Sequence, residues 1–544
     1  MRRTTIFLLS LLLLTMAGAL AQDTPAITIH TTLPEGSIFT LGIHCRQPIA
    51  IDWGDGEQVD YESDNYGVDG IQGEVHGDGW IRVWCEAPEG ILSLYIGSDQ
   101  RSQQVDSLDL SQLQGLKFLY CQNNLLSRLD VTACFRLMEL NVAANRLSEL
   151  DLKNAPLLDM LVCQNNQLKE LDLSPVQSLI ALRCEYNEIS ALDLRHFKQL
   201  TVLHCEGNPL TQLDISQNGA LQQLFAHDTQ ITTWDLTPHS DLRVLDLSNI
   251  PSVSITWGAK DELRQIFLNN NELTGLSLPL LPQLDRLEVQ DNDLTSISLA
   301  GIPMLKDFRC SNNQLQQLDL TPVGQLDYLF AEGNQLSHLD LSPVKGIKEL
   351  LLSYNKLSQL DLSHSPELYL LWLTDNPIQE LDIRPVPKLF SLFLDGCMLS
   401  DSALEAILKA LPDIHTIEAS ERTAWWKKWL LIKRNPLAQT PDAQQAVTKG
   451  WKVDLLDAWP GRDNGISNVL EATQTRIIRS GERLALYPSE YTPSDFSLYL
   501  YDLSGVLVAT ATQLSQLSEI RLGDATQHYL CITIIDGATQ RVLL

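Results

Sequence analysis

One sequence period dominates this chain of 544 residues: a pattern of leucine and asparagine returns every 21 residues. The period is interrupted at Thr229 and Ile250 and ends on Cys397. Its asparagines are Asn124, Asn145, Asn166, Asn187, Asn208, Asn271, Asn292, Asn313, Asn334, Asn355 and Asn376. Because the register runs without insertion or deletion, the chain is restricted to a fold in which similar coils stack on one another.

Each unit places alternating apolar residues before the asparagine. One unit reads Leu161-x-Cys163-x-x-Asn166-x-Leu168-x-x-Leu171-Asp172-Leu173. The alternation predicts a short strand with leucine and cysteine pointing inward, and the asparagine is expected to bond backbone groups of adjacent coils. The unit resembles a leucine-rich repeat over residues 101–400. This resemblance implies a solenoid of about 14 coils with a parallel β-sheet.

The cysteines fall into two groups. Five are separated by multiples of 21 residues, which predicts buried, reduced thiols inside the coils. These are Cys121, Cys163, Cys184, Cys205 and Cys310. Cys45 and Cys85 lie in strand-like segments before the repeats and are the candidates for a disulfide.

An aspartate column follows the repeat asparagines. It comprises Asp130, Asp151, Asp172, Asp193, Asp214, Asp235, Asp319, Asp340, Asp361 and Asp382. A calcium ladder is one interpretation, but calcium prefers six or more oxygen ligands. We therefore expect these carboxylates to accept backbone N–H groups at turns, and expect the same of Asp52 and Asp55.

The first residues, 1–21, have the pattern of a signal peptide. Arg2 and Arg3 precede a short apolar run, and Ala19-Leu20-Ala21 is a cleavage motif. No later stretch approaches the roughly 20 apolar residues of a transmembrane helix. The net charge of −29 argues against nucleic-acid partners. We expect an exported protein.

The ends of a solenoid need caps. Residues 22–100 are predicted to form an N-terminal β module, and their Asp52-Trp53-Gly54-Asp55-Gly56 run resembles the cap turn of secreted bacterial leucine-rich-repeat proteins. Residues 401–456 are predicted to form a C-terminal cap with one amphipathic helix and a tryptophan-rich stretch (Trp425, Trp426, Trp429). The helix and the later A-x-x-K-G-W-x-V pattern resemble the cap of internalin-J-like proteins of Bacteroidetes type.

The last segments are predicted to be a linker, residues 457–482, and a β-sandwich, residues 483–544. Tyr487-Pro488 and Tyr501-Asp502-x-x-Gly505 resemble the C-terminal sorting signal of type IX secretion substrates. The chain departs from that signal at His528, where glycine is usual. The resemblance implies secretion machinery as a partner, with the protein at the outer-membrane surface or released.

No catalytic motif is present, and the sequence predicts neither an enzyme nor a cofactor. His204, Glu206, His227 and Asp228 fall on neighbouring strands, where zinc is conceivable. Because histidine is common on a wet concave face, we expect no metal site.

Positions four and six before each asparagine are predicted to face the concave side of the sheet. One cluster of large side chains there is Tyr328, Phe330, Leu351, Leu370, Trp372 and Phe393, and a second includes Phe118, Tyr120, Met160 and Val162. Charged pairs lie between them: Arg286 with Glu288 and Asp307 with Arg309.

Aromatic anchors with arginine and a polar surround are typical of protein-binding hot spots. The sequence therefore predicts an adhesin-like surface protein that binds a protein partner. The internalin-like resemblance implies attachment to host cells or contact between bacteria. Two alternatives stay open: a glycan-binding protein that uses Trp372, and a structural envelope component whose aromatic pairs only stabilise the sheet.

Overall fold

The structure is a computed structural model. It describes residues 24–62, 66–97, 102–416, 429–432, 435, 444–454, 476–480, 483–487, 496–502, 507–511, 529–535 and 538–543. The predicted signal peptide and most of the predicted linker lie outside these residues. The chain divides into two compact units, residues 1–357 and 358–544.

The first unit begins with an antiparallel module. Its strands are β1 (Ile27–Thr31), β2 (Ile38–Cys45), β3 (Ile49–Asp52), β4 (Val59–Tyr61), β5 (Tyr66–Glu74), β6 (Trp80–Cys85), β7 (Ile91–Tyr95) and β8 (Val105–Asp109). One sheet has the order β4-β3-β6-β1-β8. In the other, β2 pairs with β5 and β7. A short 3₁₀ turn, Pro88–Gly90, precedes β7.

A tight turn follows β3, where the Asp52 carboxylate organises the backbone. Its Oδ1 accepts hydrogen bonds from the N–H of Gly54 at 2.8 Å and of Gly56 at 2.9 Å. Gly54 has φ +110°, and a Cβ there would collide with the carbonyl oxygen of His76. The aspartate thus serves the turn, as the sequence predicts.

The repeat strands follow in the first unit and pair in parallel. In chain order they are β9 (Phe118–Tyr120), β10 (Glu139–Asn141), β11 (Met160–Val162), β12 (Ala181–Arg183), β13 (Val202–His204), β14 (Gln223–Phe225), β15 (Thr233–Asp235), β16 (Val244–Asp246), β17 (Ser254–Thr256), β18 (Gln265–Phe267), β19 (Arg286–Glu288), β20 (Asp307–Arg309), β21 (Tyr328–Phe330) and β22 (Glu349–Leu351). β7 pairs in parallel with β9 and so opens the repeat sheet. β15 and β17 pair separately as a small second sheet. The predicted leucine-rich-repeat solenoid is confirmed.

The repeat asparagines connect successive coils. Nδ2 of Asn145 donates to the carbonyls of Cys121, in the preceding coil, and of Val142, both at 3.0 Å. Its Oδ1 accepts the N–H of Leu126 at 3.0 Å. The same two bonds to the preceding coil recur at Asn166, Asn187, Asn208, Asn292, Asn313, Asn334 and Asn355. In each of these coils one amide therefore satisfies buried backbone groups that have no strand partner.

The residue before each ladder position has a left-handed backbone. The column comprises Asn123, Ala144, Asn165, Tyr186, Gly207, Asp228, Asn249, Asn270, Asp291, Asn312, Gly333, Tyr354, Asp375 and Gly396, with φ between 52° and 66°. Asparagine, aspartate and glycine tolerate this conformation best, which explains why they fill most of the column. The turn geometry is thus kept in all 14 of these coils, including those that lack the asparagine.

The second unit carries the last two repeat strands and continues them. Its first elements are β23 (Leu370–Trp372), β24 (Ser391–Phe393), α1 (Asp401–Ala410), a 3₁₀ turn (Ile414–Thr416), β25 (Trp429–Leu431), α2 (Gln444–Thr448) and β26 (Lys452–Asp454). β24, β25 and β26 pair in parallel. The region predicted as a cap therefore adds two strands to the repeat sheet.

Asn435 has the ladder role in this added coil. Its Nδ2 donates to the carbonyls of Leu394 at 3.1 Å and Ile432 at 2.7 Å, and its Oδ1 accepts from Leu399 at 3.2 Å. In the coil before it, the Sγ of Cys397 lies 3.3 Å from the Leu373 carbonyl oxygen, in place of an amide.

Helix α1 covers the interior beside these strands. Ser400 caps its N-terminus by accepting from Ala403 N–H at 3.2 Å. Lys449 donates to the carbonyls of Lys409 and Leu411 at 2.8 Å, which satisfies groups at the helix C-terminus. The buried helix residues are Leu404, Ile407 and Leu408.

The final strands form two antiparallel groups. They are β27 (Arg476–Ser480), β28 (Arg483–Tyr487), β29 (Phe496–Asp502), β30 (Leu507–Ala511), β31 (Tyr529–Ile535) and β32 (Ala538–Leu543). β27 pairs with β28, and the others form a sheet of order β30-β29-β31-β32. β27 falls inside the range predicted as linker, and the sandwich remains a prediction.

Within the described ranges, no helix combines the length and apolar character that crossing a membrane requires.

Replacing Asn313 with leucine should lower the free energy of unfolding by about 1–3 kcal/mol, because it leaves the N–H of Leu294 and the carbonyl of Val289 buried without their partner. Chemical denaturation measures this. The exposed Gln316→Leu variant of the same coil is the control, and equal stability of the two variants would contradict the ladder's role.

Candidate partner-binding surface

The concave surface is made by the outer residues of the repeat strands. In most strands a buried central residue lies between two half-buried ones, as in β20 and β21. The outer side chains form columns because each strand pairs in register with the next. A residue type in one coil therefore meets the same position of its neighbours.

Four charged side chains form an ion network on β19 and β20. Arg286 Nη2 lies 2.5 Å from Glu288 Oε1, and Arg286 Nε lies 3.6 Å from Asp307 Oδ2. Arg309 Nε lies 3.0 Å from Asp307 Oδ1 and 3.6 Å from Glu288 Oε1. Each guanidinium is thus held between two carboxylates.

The same arginines pack on aromatic rings of the flanking strands. The Arg286 guanidinium carbon lies 5.3 Å from the Phe267 ring centroid, and that of Arg309 lies 4.6 Å from the Phe330 centroid. Both distances suit cation–π interactions. We call Phe267, Arg286, Arg309, Tyr328 and Phe330 the arginine–aromatic strip. Lys348 extends the same contact type, with Nζ 5.9 Å from the Tyr328 centroid.

The predicted C-terminal cluster divides by exposure. Tyr328, Phe330 and Trp372 are half-buried, whereas Leu351, Leu370 and Phe393 are only 8%, 3% and 6% exposed. The expectation that these last three face solvent is corrected.

Packing by large neighbours explains part of this burial. In the second unit, the Trp372 and Phe393 rings stack at 4.6 Å and 7°, and Leu431 of β25 lies opposite Phe393. The usable surface of this pair is therefore mainly the Trp372 ring.

The N-terminal cluster is built around a second stack. Phe118 and Tyr120 are half-buried, whereas Val162 is buried, which corrects the expectation that it faces solvent. The Tyr120 ring lies parallel to that of Tyr95 at 4.8 Å. The Tyr120 hydroxyl donates to the Glu139 carboxylate. Burial, which is the larger cause, and this hydrogen bond both raise the pKa of Tyr120. Sequence reasoning missed Tyr95 because 25 residues, not 21, separate it from Tyr120.

Two of the residues considered for zinc, His204 and Glu206, lie close together, and Glu185 of the preceding coil lies beside them. Ligand-type atoms of Glu185, His204 and Glu206 all lie within 4.8 Å of one another. His227 instead pairs with Asp228, at 2.7 Å between Nδ1 and Oδ2. Burial raises the pKa of Glu206 to about 7, and burial with the Arg183 charge lowers the pKa of His204 to about 4. Sequence reasoning missed Glu185. It is found only by comparing Glu206 with the same position of the preceding coil, 21 residues earlier.

The cysteines of the candidate disulfide are adjacent. Sγ of Cys45 on β2 and Sγ of Cys85 on β6 lie 3.4 Å apart, and both residues are buried. The contact between the two thiols lowers the pKa of Cys45 and raises that of Cys85. A disulfide between them remains a prediction. In the repeat column, burial raises the pKa of Cys121 to about 12.

The aspartate column makes the turn contacts expected of it. Oδ1 of each accepts the N–H of the residue two positions later, at 2.9–3.2 Å, in Asp130, Asp151, Asp172, Asp193, Asp214, Asp235, Asp319, Asp340, Asp361 and Asp382. At Asp193, hydrogen bonds from Arg195 hold the pKa of the carboxyl well below its usual range.

Stacked coils whose short strands pair in parallel define the class of protein, a leucine-rich-repeat solenoid. The functional domain of InlJ from Listeria monocytogenes, which includes a cysteine ladder, is 21% identical and covers 84% of this chain and 90% of that one, with a TM-score of 0.50. A leucine-rich-repeat protein of Leptospira interrogans is 21% identical over 64% of this chain and 91% of its own, with a TM-score of 0.51. An internalin (InlF) of L. monocytogenes covers 68% of this chain and 88% of its own at 18% identity, with a TM-score of 0.40.

No protein-family model and no curated protein matches the sequence. The structural likeness therefore describes the fold.

Glu332, two residues beyond Phe330, gives a pH-dependent prediction. Burial of its carboxyl raises the pKa from 4.5 to about 7, although a hydrogen bond with Ser353 acts to lower it. Between these values the folded chain keeps a proton that the unfolded chain releases, so stability falls as pH rises through the window. The Glu332→Gln side chain has no carboxyl to titrate, so the variant lacks this pH dependence of stability.

The stability of Glu332→Gln relative to the unmodified protein should therefore increase by about 1–3 kcal/mol from about pH 4.5 to about pH 7.5. Urea denaturation at both pH values measures it, with the exposed Glu170→Gln as reference. A relative stability that stays constant with pH would contradict the role assigned to this carboxyl.

Proposed function

We propose that this chain is a non-enzymatic, adhesin-like binding protein that engages a protein partner through the concave face of its repeat sheet. The observation that carries the proposal is the arginine–aromatic strip, in which two guanidiniums are each held between carboxylates and against a phenylalanine ring.

The coils of the solenoid have other sources of stability besides this strip. They are held by the asparagine ladder and by buried apolar side chains such as Leu287, Phe308 and Leu329, which are 0% exposed. Half-buried phenylalanine, tyrosine and arginine on the outer side therefore have another use. Tyrosine and arginine are among the residue types enriched at hot spots.

Preorganisation strengthens the same argument. Arg286 and Arg309 are fixed before a partner arrives, so less side-chain entropy is lost on binding. The network also contains Glu288, whose Oε2 accepts from Asn269 at 3.0 Å. A partner that presents aromatic and charged groups would find fixed counterparts along these strands.

A surface location fits the sequence features at both ends of the chain. Residues 1–21 have the pattern of a signal peptide, and residues 483–544 resemble a type IX sorting domain, so we propose exposure at the outer-membrane surface or release. Host-cell attachment and contact between bacteria are the functions proposed for such a location.

The proposal can be tested with purified full-length protein on intact cells of the producing bacterium and on cultured epithelial cells. A Tyr328→Ala/Phe330→Ala double variant should bind at least about 30-fold more weakly, as loss of a hot spot of about 2 kcal/mol or more implies. The control is Leu157→Ala, which removes an apolar side chain that is 51% exposed.

Pretreatment of the cells identifies the chemistry of the partner. Loss of binding after protease treatment supports a protein partner. Loss after periodate oxidation alone, together with loss in Trp372→Ala, would favour a glycan at the Trp372 ring. Unchanged binding by every variant would contradict the concave-face proposal and favour a structural envelope role.

A further inference from the structure

Three potential metal ligands converge on the concave face of the first unit, away from the arginine–aromatic strip. Glu185 and Glu206 occupy the same position in successive coils, two residues before the ladder asparagine. His204 ends β13 and lies two residues before Glu206. Their ligand-type atoms are all within 4.8 Å of one another.

The two carboxylates are buried and incompletely bonded. Glu185 is 3% exposed and Glu206 is 6% exposed. In each, Oε2 is buried and has no hydrogen-bond partner among the described residues. A buried carboxylate oxygen without a partner is costly, since native structures almost always satisfy such atoms. Both open oxygens belong to the three-residue cluster.

Neighbouring side chains orient these three residues but leave some of their hydrogen-bonding atoms without a partner among the described residues. Arg183 Nη2 bonds Glu185 at Oε1, 2.9 Å away, and so leaves Oε2 unused. The His204 ring packs against Phe225 with centroids 4.3 Å apart. Its Nε2 has only a long contact of 3.4 Å with Gln223.

We propose that Glu185, His204 and Glu206 form a binding site for one divalent transition-metal ion, with Zn²⁺ as the favoured ion. An imidazole nitrogen with two carboxylate oxygens suits zinc, whereas calcium takes six to eight oxygens. Tetrahedral zinc with bonds of about 2.0–2.1 Å needs ligand atoms about 3.4 Å apart. Side-chain displacements of roughly 1 Å close the cluster to that spacing.

Three protein ligands leave a fourth position for water or for a group on a bound molecule. His204 is half-buried on the concave face, so this position opens to the side on which partners are proposed to bind. The site departs from the sequence-based expectation of no metal, and it does not depend on the proposed function.

The test uses full-length protein without a polyhistidine tag, stripped with EDTA and titrated with ZnCl₂ by calorimetry. Elemental analysis after gel filtration should give one zinc per chain. His204→Ala and Glu206→Gln should each weaken zinc binding at least about tenfold, since each removes one of three ligands. His196→Ala, which removes an exposed histidine of an adjacent coil, should bind zinc as the unmodified protein does.

Glu206→Gln keeps the shape of the side chain, so circular dichroism should show it folded even if His204→Ala is not. Absence of saturable zinc binding would overturn the proposal. So would equal zinc affinity in folded Glu206→Gln, an equal loss in His196→Ala, or CaCl₂ binding that matches ZnCl₂. These outcomes leave binding to cells untouched, so the two proposals fail separately.

Discussion

The buried asparagine amide is the interaction on which the rest of this structure depends. In most coils it donates to a carbonyl 24 residues earlier and accepts an N–H 19 residues earlier, as Asn313 does with Val289 and Leu294. These groups lie where the chain leaves the sheet and has no strand to pair with. Because one side chain satisfies both, coils of only 21 residues can stack without losing register. The concave columns exist because that register holds.

The features of the fold that follow from the repeat period and from the alternation of apolar residues could be predicted from the sequence. The 21-residue register and the inward leucines predict the parallel solenoid and the columns that contain Arg309 and Phe330. The coil with Asn435 could also have been predicted, because Leu430-x-Ile432-x-x-Asn435 repeats the pattern of the unit after a long insertion. The helix between the two coils hid that pattern.

Burial and pairing between coils could not be read from the columns alone. Phe393 occupies an outward position, yet a stacked tryptophan and an added strand cover it. Glu206 was expected on a wet concave face, yet it and Glu185 of the preceding coil are buried. Side-chain volume across adjacent strands decides such cases, and a single-coil pattern does not contain it.

The cysteine column has a consequence for how the protein reaches its destination. Thiols such as Cys163, Cys184 and Cys205 are fully buried in the folded chain. Under the proposed export, an unfolded chain would offer them together to an oxidising compartment. Local contacts between successive coils favour rapid, sequential folding. Each newly docked coil then removes its own sulfur from oxidants. For such an exported chain, speed of folding would protect the thiols from mispaired crosslinks as much as final stability does.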